Sequence, residues 1–128
     1  MKIDHIALYC KDIESMKSFF VRFFHAESGP MYHNTTTNFR SYFLSFENSD
    51  ARLELMTRPN VKPTEQYPYA AGFAHICMSV GSREQVDTIT EQIENSGFRV
   101  QSKPRTTGDG YYESCIIGPE GILIEITI

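Results

Sequence analysis

The sequence has few of the features that a membrane, a nucleic acid or an oxidising environment would require. It contains three cysteines, Cys10, Cys77 and Cys115, an odd number without a CxxC pair, so a disulfide framework is not expected. With 12 basic against 16 acidic residues and a formal charge of -4, the chain lacks the basic stripe that binds phosphates. No apolar run approaches the roughly 20 residues of a membrane span.

The rest of the composition is that of a soluble globular protein. Hydrophobic residues make up 41% of the chain and charged residues 22%, which leaves enough apolar mass for a core. Residues 1–4 lead directly into a strand-like stretch and carry no signal-peptide pattern. We therefore expect a cytoplasmic protein with no membrane and no nucleic acid among its partners.

Four ionisable residues interrupt short apolar runs that are typical of strands: His5, Glu54, His75 and Glu125. Because side chains alternate between the two faces of a strand, each of the four lies opposite its aliphatic neighbours. An unpaired charge on a largely buried sheet is costly, so the four need partners, which are either one another or a cation. Two imidazoles and two carboxylates together would suit a divalent metal.

The same four residues indicate an internal repeat. His5 and His75 are 70 positions apart, and Glu54 and Glu125 are 71 apart. The second half of the chain therefore looks like a repeat of the first.

Each half also places a helix after its His-bearing strand. In the first half, apolar residues recur at helical spacing directly after Asp12, a residue that favours the N-cap. In the second half, Ser82 and Gln85 have the spacing of a capping box, and Gly97 stands where the helix would stop.

Three further strands are predicted after each helix. Turn residues separate them and place them near 27–32, 39–46 and 52–57 in the first half, and near 98–103, 111–117 and 122–128 in the second. The predicted fold class is α+β, with two βαβββ modules in tandem, about 1–58 and 71–128. Prolines in residues 59–70 mark a linker, and we expect the whole chain, 1–128, to be a single domain.

The ligand types restrict the metal and the chemistry. Carboxylates and imidazoles suit Ni²⁺, Zn²⁺, Co²⁺, Mn²⁺ or Fe²⁺, and four protein ligands on a six-coordinate ion leave two neighbouring positions. Two vicinal oxygens of a substrate could fill those positions. Chelation of this kind acidifies a hydrogen beside a carbonyl and stabilises the enediolate that forms when the hydrogen leaves.

The order of these features resembles the vicinal oxygen chelate superfamily. The resemblance rests on a strand-borne His, a helix and a Glu on the fourth strand, repeated once, with TTGDGYYES at 106–114 and GPEGILIE at 118–125. It covers essentially the whole chain. It implies paired βαβββ modules whose sheets form a half-open cup with the metal on its floor. That superfamily includes glyoxalase I, epimerases, extradiol dioxygenases and metal-free bleomycin-resistance proteins.

The set His5, Glu54, His75 and Glu125 resembles the metal ligands of bacterial glyoxalase I, a lactoylglutathione lyase. This resemblance implies a metal-dependent lyase or isomerase that acts on a 2-oxoaldehyde–thiol adduct or a related vicinal-oxygen substrate. It also implies Glu125 as the catalytic base, with Glu54 as its partner on the opposite side of the substrate.

Two other classes of function stay open. Epimerases of the superfamily usually carry Gln at the position of Glu54, and dioxygenases leave that position free for substrate and oxygen. A non-catalytic binding or resistance protein would sequester a small molecule without a metal. In that case the four polar residues would bond only one another.

The predicted substrate contacts are Tyr9, Arg58, Tyr111 and Glu113. Tyr9 should share a face with His5. Glutathione-dependent members of the superfamily typically have Arg at the position of Tyr9 and Asn at the position of Arg58. Arg58 is either a carboxylate-binding group or simply the charge that ends a strand. Tyr111 lies within residues 106–112 and Glu113 directly follows them; this segment forms either a mobile flap or a plain hairpin connection. The resemblance further implies a homodimer.

Overall fold

Each half of the chain forms a β-sheet with one helix packed on it. The computed structural model describes residues 1–63 and 71–128. The chain divides into two compact units, Met1–Thr64 and Glu65–Ile128. Residues 64–70, the second part of the predicted linker, lie outside the described residues. Neither helix in the described ranges has the length and apolar character needed to cross a membrane.

The first unit contains five strands and one helix. Its sheet has the order β1-β5-β4-β2, and β3 also pairs with β4. The first strand runs parallel to the last, while β4 and β5 are antiparallel. The elements are β1 (His5–Tyr9), α1 (Ile13–Phe24), β2 (Glu27–Ser28), β3 (Tyr32–Asn34), β4 (Phe39–Ser45) and β5 (Arg52–Thr57).

Helix α1 begins and packs as the sequence predicts. The Asp12 side chain accepts a hydrogen bond from the Ser15 amide, which satisfies one of the free N–H groups of the first turn. The apolar stripe of the helix, which includes four phenylalanines, is buried. On the sheet, Leu44, Leu53 and Leu55 are buried as well. Their burial leaves the alternate residues of β4 and β5 on the opposite face.

Within residues 71–128, the second unit repeats this plan with four strands and one α-helix. Its sheet has the order β6-β9-β8-β7, and again the first strand is parallel to the last. A 3₁₀ turn, Pro119–Gly121, precedes the last strand. The elements are β6 (Ile76–Ser79), α2 (Arg83–Asn95), β7 (Arg99–Thr106), β8 (Tyr112–Ile117) and β9 (Leu123–Thr127).

Helix α2 buries a mixed stripe that contains one hydroxyl. Its N-cap is Ser82, which accepts a hydrogen bond from the Gln85 amide, as the capping box predicts. Val86 and Ile93 are fully buried beside Thr90, and Ser114 of β8 is buried as well. The Thr90 and Ser114 hydroxyl oxygens are 2.6 Å apart.

The predicted fold class, α+β with two βαβββ modules, is confirmed, and several strand boundaries differ from the prediction. The strand expected at 27–32 is two short strands, because Pro30 has no amide hydrogen to donate and Gly29 instead bonds the Phe43 carbonyl at 2.9 Å. The first strand of the second module begins at Ile76, so His75 stands immediately before it.

Candidate metal-binding site

The same strand register brings a His beside a Glu in both modules. In the first module Ala7 of β1 is the register partner of Glu54 on β5, and His5 lies two residues before Ala7. In the second, Cys77 of β6 partners Glu125 on β9, and His75 lies two residues before Cys77. Side chains two residues apart share a face, so each His is a diagonal neighbour of its Glu.

The side chains of each pair converge. His5 Nε2 lies 3.8 Å from Glu54 Oε2, and His75 Nε2 lies 3.1 Å from Glu125 Oε2. The imidazoles are 40% and 39% exposed, whereas the carboxylates are 16% and 24% exposed. Each pair therefore has its carboxylate set into the sheet and its imidazole more open to solvent.

These distances suit two neighbouring ligands of one ion. With metal–ligand bonds of about 2.1 Å, ligands at right angles lie about 3.0 Å apart. The 3.1 Å separation of His75 and Glu125 matches that value, and the 3.8 Å separation of His5 and Glu54 needs only a small side-chain rotation. Without a metal, the shorter contact is an ion-pair distance between imidazole and carboxylate.

Within each unit, the structure brings one predicted His ligand beside one predicted Glu ligand. Within residues 1–63 and 71–128, no three His, Cys, Asp or Glu side chains are grouped closely enough to hold a metal ion. The four-residue metal site therefore stays a prediction. The donor types and the spacing inside each pair fit it.

Two residues that the sequence analysis did not single out surround His5. Asp4 Oδ2 lies 2.8 Å from His5 Nδ1 and 2.6 Å from Arg52 Nη2. These two hydrogen bonds and the Arg52 charge hold the pKa of the Asp4 carboxyl below its usual value. The Phe43 ring meets the His5 imidazole edge to face, with 5.4 Å between the ring centres. The Arg52 guanidinium stacks on the Phe43 ring at 4.4 Å.

The signal for both residues was present in the sequence. Asp4 directly precedes His5, and Arg52 stands two positions before Glu54, which places it on the same face of β5. What the sequence does not contain is the pairing of β1 with β5, which makes His5 and Arg52 register partners.

Glu125 of the second module lies between two thiols. Cys77 on β6 and Cys115 on β8 are both its register partners. Burial, followed by the nearby Glu125 and Glu113 carboxylates, raises the pKa of both thiols. Protonated thiols are poor metal ligands. At neutral pH the groups available to a metal here are therefore the His75 imidazole and the Glu125 carboxylate.

The predicted substrate residues lie in different settings. Tyr9 is on the face of β1 that carries His5 and is 53% exposed, as expected. Arg58 is exposed and directly follows the last residue of β5. Tyr111 is 60% exposed in the turn before β8. The Glu113 side chain is only 17% exposed and faces Arg105 at 3.9 Å.

The segment that contains Tyr111 is a hairpin connection closed by its own hydrogen bonds. The Thr107 amide bonds the Tyr111 carbonyl at 2.8 Å, and the Tyr111 amide returns to the Thr107 hydroxyl at 3.1 Å. The hydroxyl also donates to the Asp109 carboxylate at 2.5 Å. These hydrogen bonds are those of a hairpin connection between β7 and β8, and a flap role of residues 106–112 stays a prediction.

Comparisons with known proteins place this fold in a recognised group. A sequence profile described as Glyoxalase/Bleomycin resistance protein/Dioxygenase superfamily matches residues 2–126. The Bacillus subtilis (strain 168) protein YwkD is 30% identical over 101 residues, which are 77% of this chain and 74% of YwkD.

Solved structures share the fold at lower identity. A glyoxalase family protein from Enterococcus faecalis has a TM-score of 0.79 at 20% identity, covering 99% of this chain and 97% of that one. Glyoxalase I from Zea mays has a TM-score of 0.79 at 19% identity, covering 98% of this chain and 44% of that one.

Proposed function

Since the chain belongs to the Glyoxalase/Bleomycin resistance protein/Dioxygenase superfamily, we propose that it is a metal-dependent lyase of the glyoxalase I type. Its substrate in this proposal is a small 2-oxoaldehyde–thiol adduct or a related molecule with two vicinal oxygens. The observation that carries the proposal is the repeated strand register, which sets one His diagonally beside one Glu in each module.

The proposed metal ligands are His5, Glu54, His75 and Glu125. Each pair supplies one nitrogen and one oxygen at a separation near that of neighbouring ligands. This donor set suits Ni²⁺, Zn²⁺, Co²⁺, Mn²⁺ or Fe²⁺. When bound, the ion polarises the two substrate oxygens and so acidifies the hydrogen on the carbon beside the carbonyl.

The protein groups that move the proton are carboxylates in this proposal. Glu125 Oε2 takes a proton from the hydroxyl-bearing carbon of the adduct and returns it to the neighbouring carbonyl carbon. The hydroxyl proton passes to the former carbonyl oxygen, and the product is a 2-hydroxy thioester. Glu54 is the corresponding carboxylate of the first module. Both are partly shielded from solvent, which strengthens their interaction with a bound substrate.

Residues around the pairs would bind the rest of the substrate. Tyr9 offers an aromatic surface and a hydroxyl on the His5 face, and Arg58 offers an exposed positive charge for a carboxylate. In the second module, Tyr111 and Glu113 are the proposed substrate contacts. We also expect a homodimer, which size-exclusion chromatography with light scattering would detect.

The experiment that tests this function starts with metal content. The protein is purified without chelators or a nickel column, and its metals are measured by mass spectrometry. The wild type is compared with His5→Ala/His75→Ala and with the control His25→Ala/His33→Ala, which removes two imidazoles outside the proposed ligand set. We expect about one metal per chain in the wild type and control, and none in the first variant.

Activity is then measured with hemithioacetals of 2-oxoaldehydes through the appearance of the thioester. Turnover that chelation abolishes and metal restores supports the proposal. If the wild-type protein is purified without metal and does not bind added Ni²⁺, Zn²⁺ or Mn²⁺, but still binds a small molecule, it is a non-catalytic binding protein. Substrate-dependent oxygen uptake would identify a dioxygenase.

A further inference from the structure

The nearest carboxylates lie at different ring nitrogens in the two histidines of the repeat. At His5 the ring nitrogen Nδ1 meets the Asp4 carboxylate at 2.8 Å, and Nε2 faces Glu54 at 3.8 Å, beyond hydrogen-bond distance. At His75 it is Nε2 that meets a carboxylate, Glu125 at 3.1 Å. The residue before His75 is Ala74, whose methyl group cannot accept a hydrogen bond.

A neutral imidazole carries one proton, and the acceptor beside it decides which nitrogen holds that proton. An acidic acceptor on Nδ1 favours the Nδ1–H form and leaves the lone pair on Nε2. An acceptor on Nε2 favours the opposite form. In this protein the carboxylate lies at Nδ1 of His5 but at Nε2 of His75, although the repeat makes the two histidines equivalent.

We propose that Asp4 is a positioning residue that fixes His5 in the Nδ1–H tautomer, so that its Nε2 lone pair is available for the metal, whereas metal-free His75 holds the Nε2–H tautomer. This inference rests on the proposed metal site. It makes the two halves of that site unequal: the first is ready to coordinate, and the second must give up a proton from Nε2 before that nitrogen can bind.

The surroundings of Asp4 hold it in place for this role. Arg52 donates to the same oxygen, Oδ2, that faces His5, and its guanidinium is stacked on the Phe43 ring. The same ring contacts the His5 imidazole edge to face. The carboxylate orientation and the imidazole ring plane are therefore fixed by one connected group of side chains. A carboxylate that accepts a hydrogen bond from the other ring nitrogen of a histidine ligand orients the imidazole and raises its basicity.

The first test reads the tautomers directly in the metal-free full-length protein. Long-range ¹⁵N–¹H NMR spectra at about pH 8, above the usual histidine pKa, distinguish a protonated ring nitrogen from one with a lone pair. We expect Nδ1–H for His5 and Nε2–H for His75. In Asp4→Ala the His5 proton should move toward Nε2, and in Asp4→Asn, whose amide oxygen still accepts, it should stay on Nδ1.

The second test measures metal affinity by competition with a coloured chelator. Asp4→Ala should weaken binding about 10- to 100-fold, the usual effect of removing a carboxylate that bonds a histidine ligand, and Asp4→Asn should restore most of it. Asp50→Ala removes a carboxylate of the same unit that pairs with Lys2 at 3.8 Å, and it should match the wild type.

The two tests separate this inference from the proposed function. The inference is overturned if wild-type His5 carries its proton on Nε2, or if Asp4→Ala leaves both the tautomer and the metal affinity unchanged. If the tautomers are as assigned but no divalent metal binds, the tautomer assignment stands and the metal-dependent function fails.

Discussion

His75 Nε2 lies 3.1 Å from Glu125 Oε2, across a pair of parallel strands in which Cys77 is the register partner of Glu125. The same two-residue offset relates His5 to Glu54 in the other module. The parallel pairing of the first and last strands thus builds the same donor pair twice from residues about 50 positions apart.

Glu125→Gln should separate metal binding from catalysis. The amide oxygen can still act as a ligand, but the amide cannot accept a proton as a base. We expect the fold to be unchanged, the metal largely retained and turnover reduced about 10²- to 10⁴-fold. Glu91→Gln, on the exposed side of α2, should have no effect. Normal turnover in the Glu125 variant would refute the proposed mechanism.

Arg58→Ala should raise KM for thiol adducts that carry a carboxylate. The side chain is exposed, so the lost interaction is of the order of 1 kcal/mol, which corresponds to roughly a 3- to 10-fold increase in KM with little change in kcat. An uncharged adduct of the same size is the matched control and should keep its KM. Equal KM values for both substrates would mean that Arg58 merely ends the strand.

Glu14 should make stability depend on pH in the acid range. Its carboxylate accepts a 2.7 Å hydrogen bond from the Tyr42 hydroxyl and pairs with Lys17 at 2.6 Å. The Lys17 bond first, and then the Tyr42 bond, lower the pKa of Glu14 in the folded protein. A lowered pKa stabilises the fold above the unfolded-state value of about 4.3, and this contribution is lost as pH falls through the folded-state pKa.

The measurement is urea unfolding of Glu14→Gln and wild type between neutral pH and about pH 2. The side chain is 54% exposed, so the difference at neutral pH should stay below about 1 kcal/mol and shrink toward zero in acid. Glu91→Gln is the control. A stability difference that does not change with pH would show that the ionised form of Glu14 contributes nothing.

Removing the Thr90 hydroxyl should destabilise the fold more than removing the Ser114 hydroxyl, although the two share one hydrogen bond. Thr90 donates its only hydroxyl proton to the Val86 carbonyl at 2.6 Å, so Ser114 must donate to Thr90. Thr90→Val leaves the buried Ser114 donor without its acceptor, at a cost of about 1–3 kcal/mol. Ser114→Ala leaves the Thr90 donor satisfied and should cost about 1 kcal/mol or less.

The double variant Thr90→Val/Ser114→Ala checks this assignment. Because it removes both hydroxyls, no unpaired donor remains, and it should be less destabilised than the sum of the single variants. Thermal or urea unfolding measures all three. If Ser114→Ala is the more harmful change, the hydrogen bond runs in the other direction.

The module plan and the faces of the strands could be read from the sequence. Alternation around Glu54 and Glu125 and the caps at Asp12 and Ser82 are local patterns, and the structure confirms the βαβββ repeat that they predict. The predicted strand at 27–32 was wrong in its continuity, since Pro30 divides it. The shared metal site and its substrate contacts stay predictions.

What the sequence determined by itself was which residues share a face, because side-chain alternation depends only on neighbours along the chain. The tertiary structure decided which residues meet. Strand register joined Glu125 to both Cys77 and Cys115, and it set Arg52 beside His5 so that Asp4 could bond both. Such contacts depend on pairing between strands far apart in the chain and on side-chain rotamers, neither of which a local pattern contains.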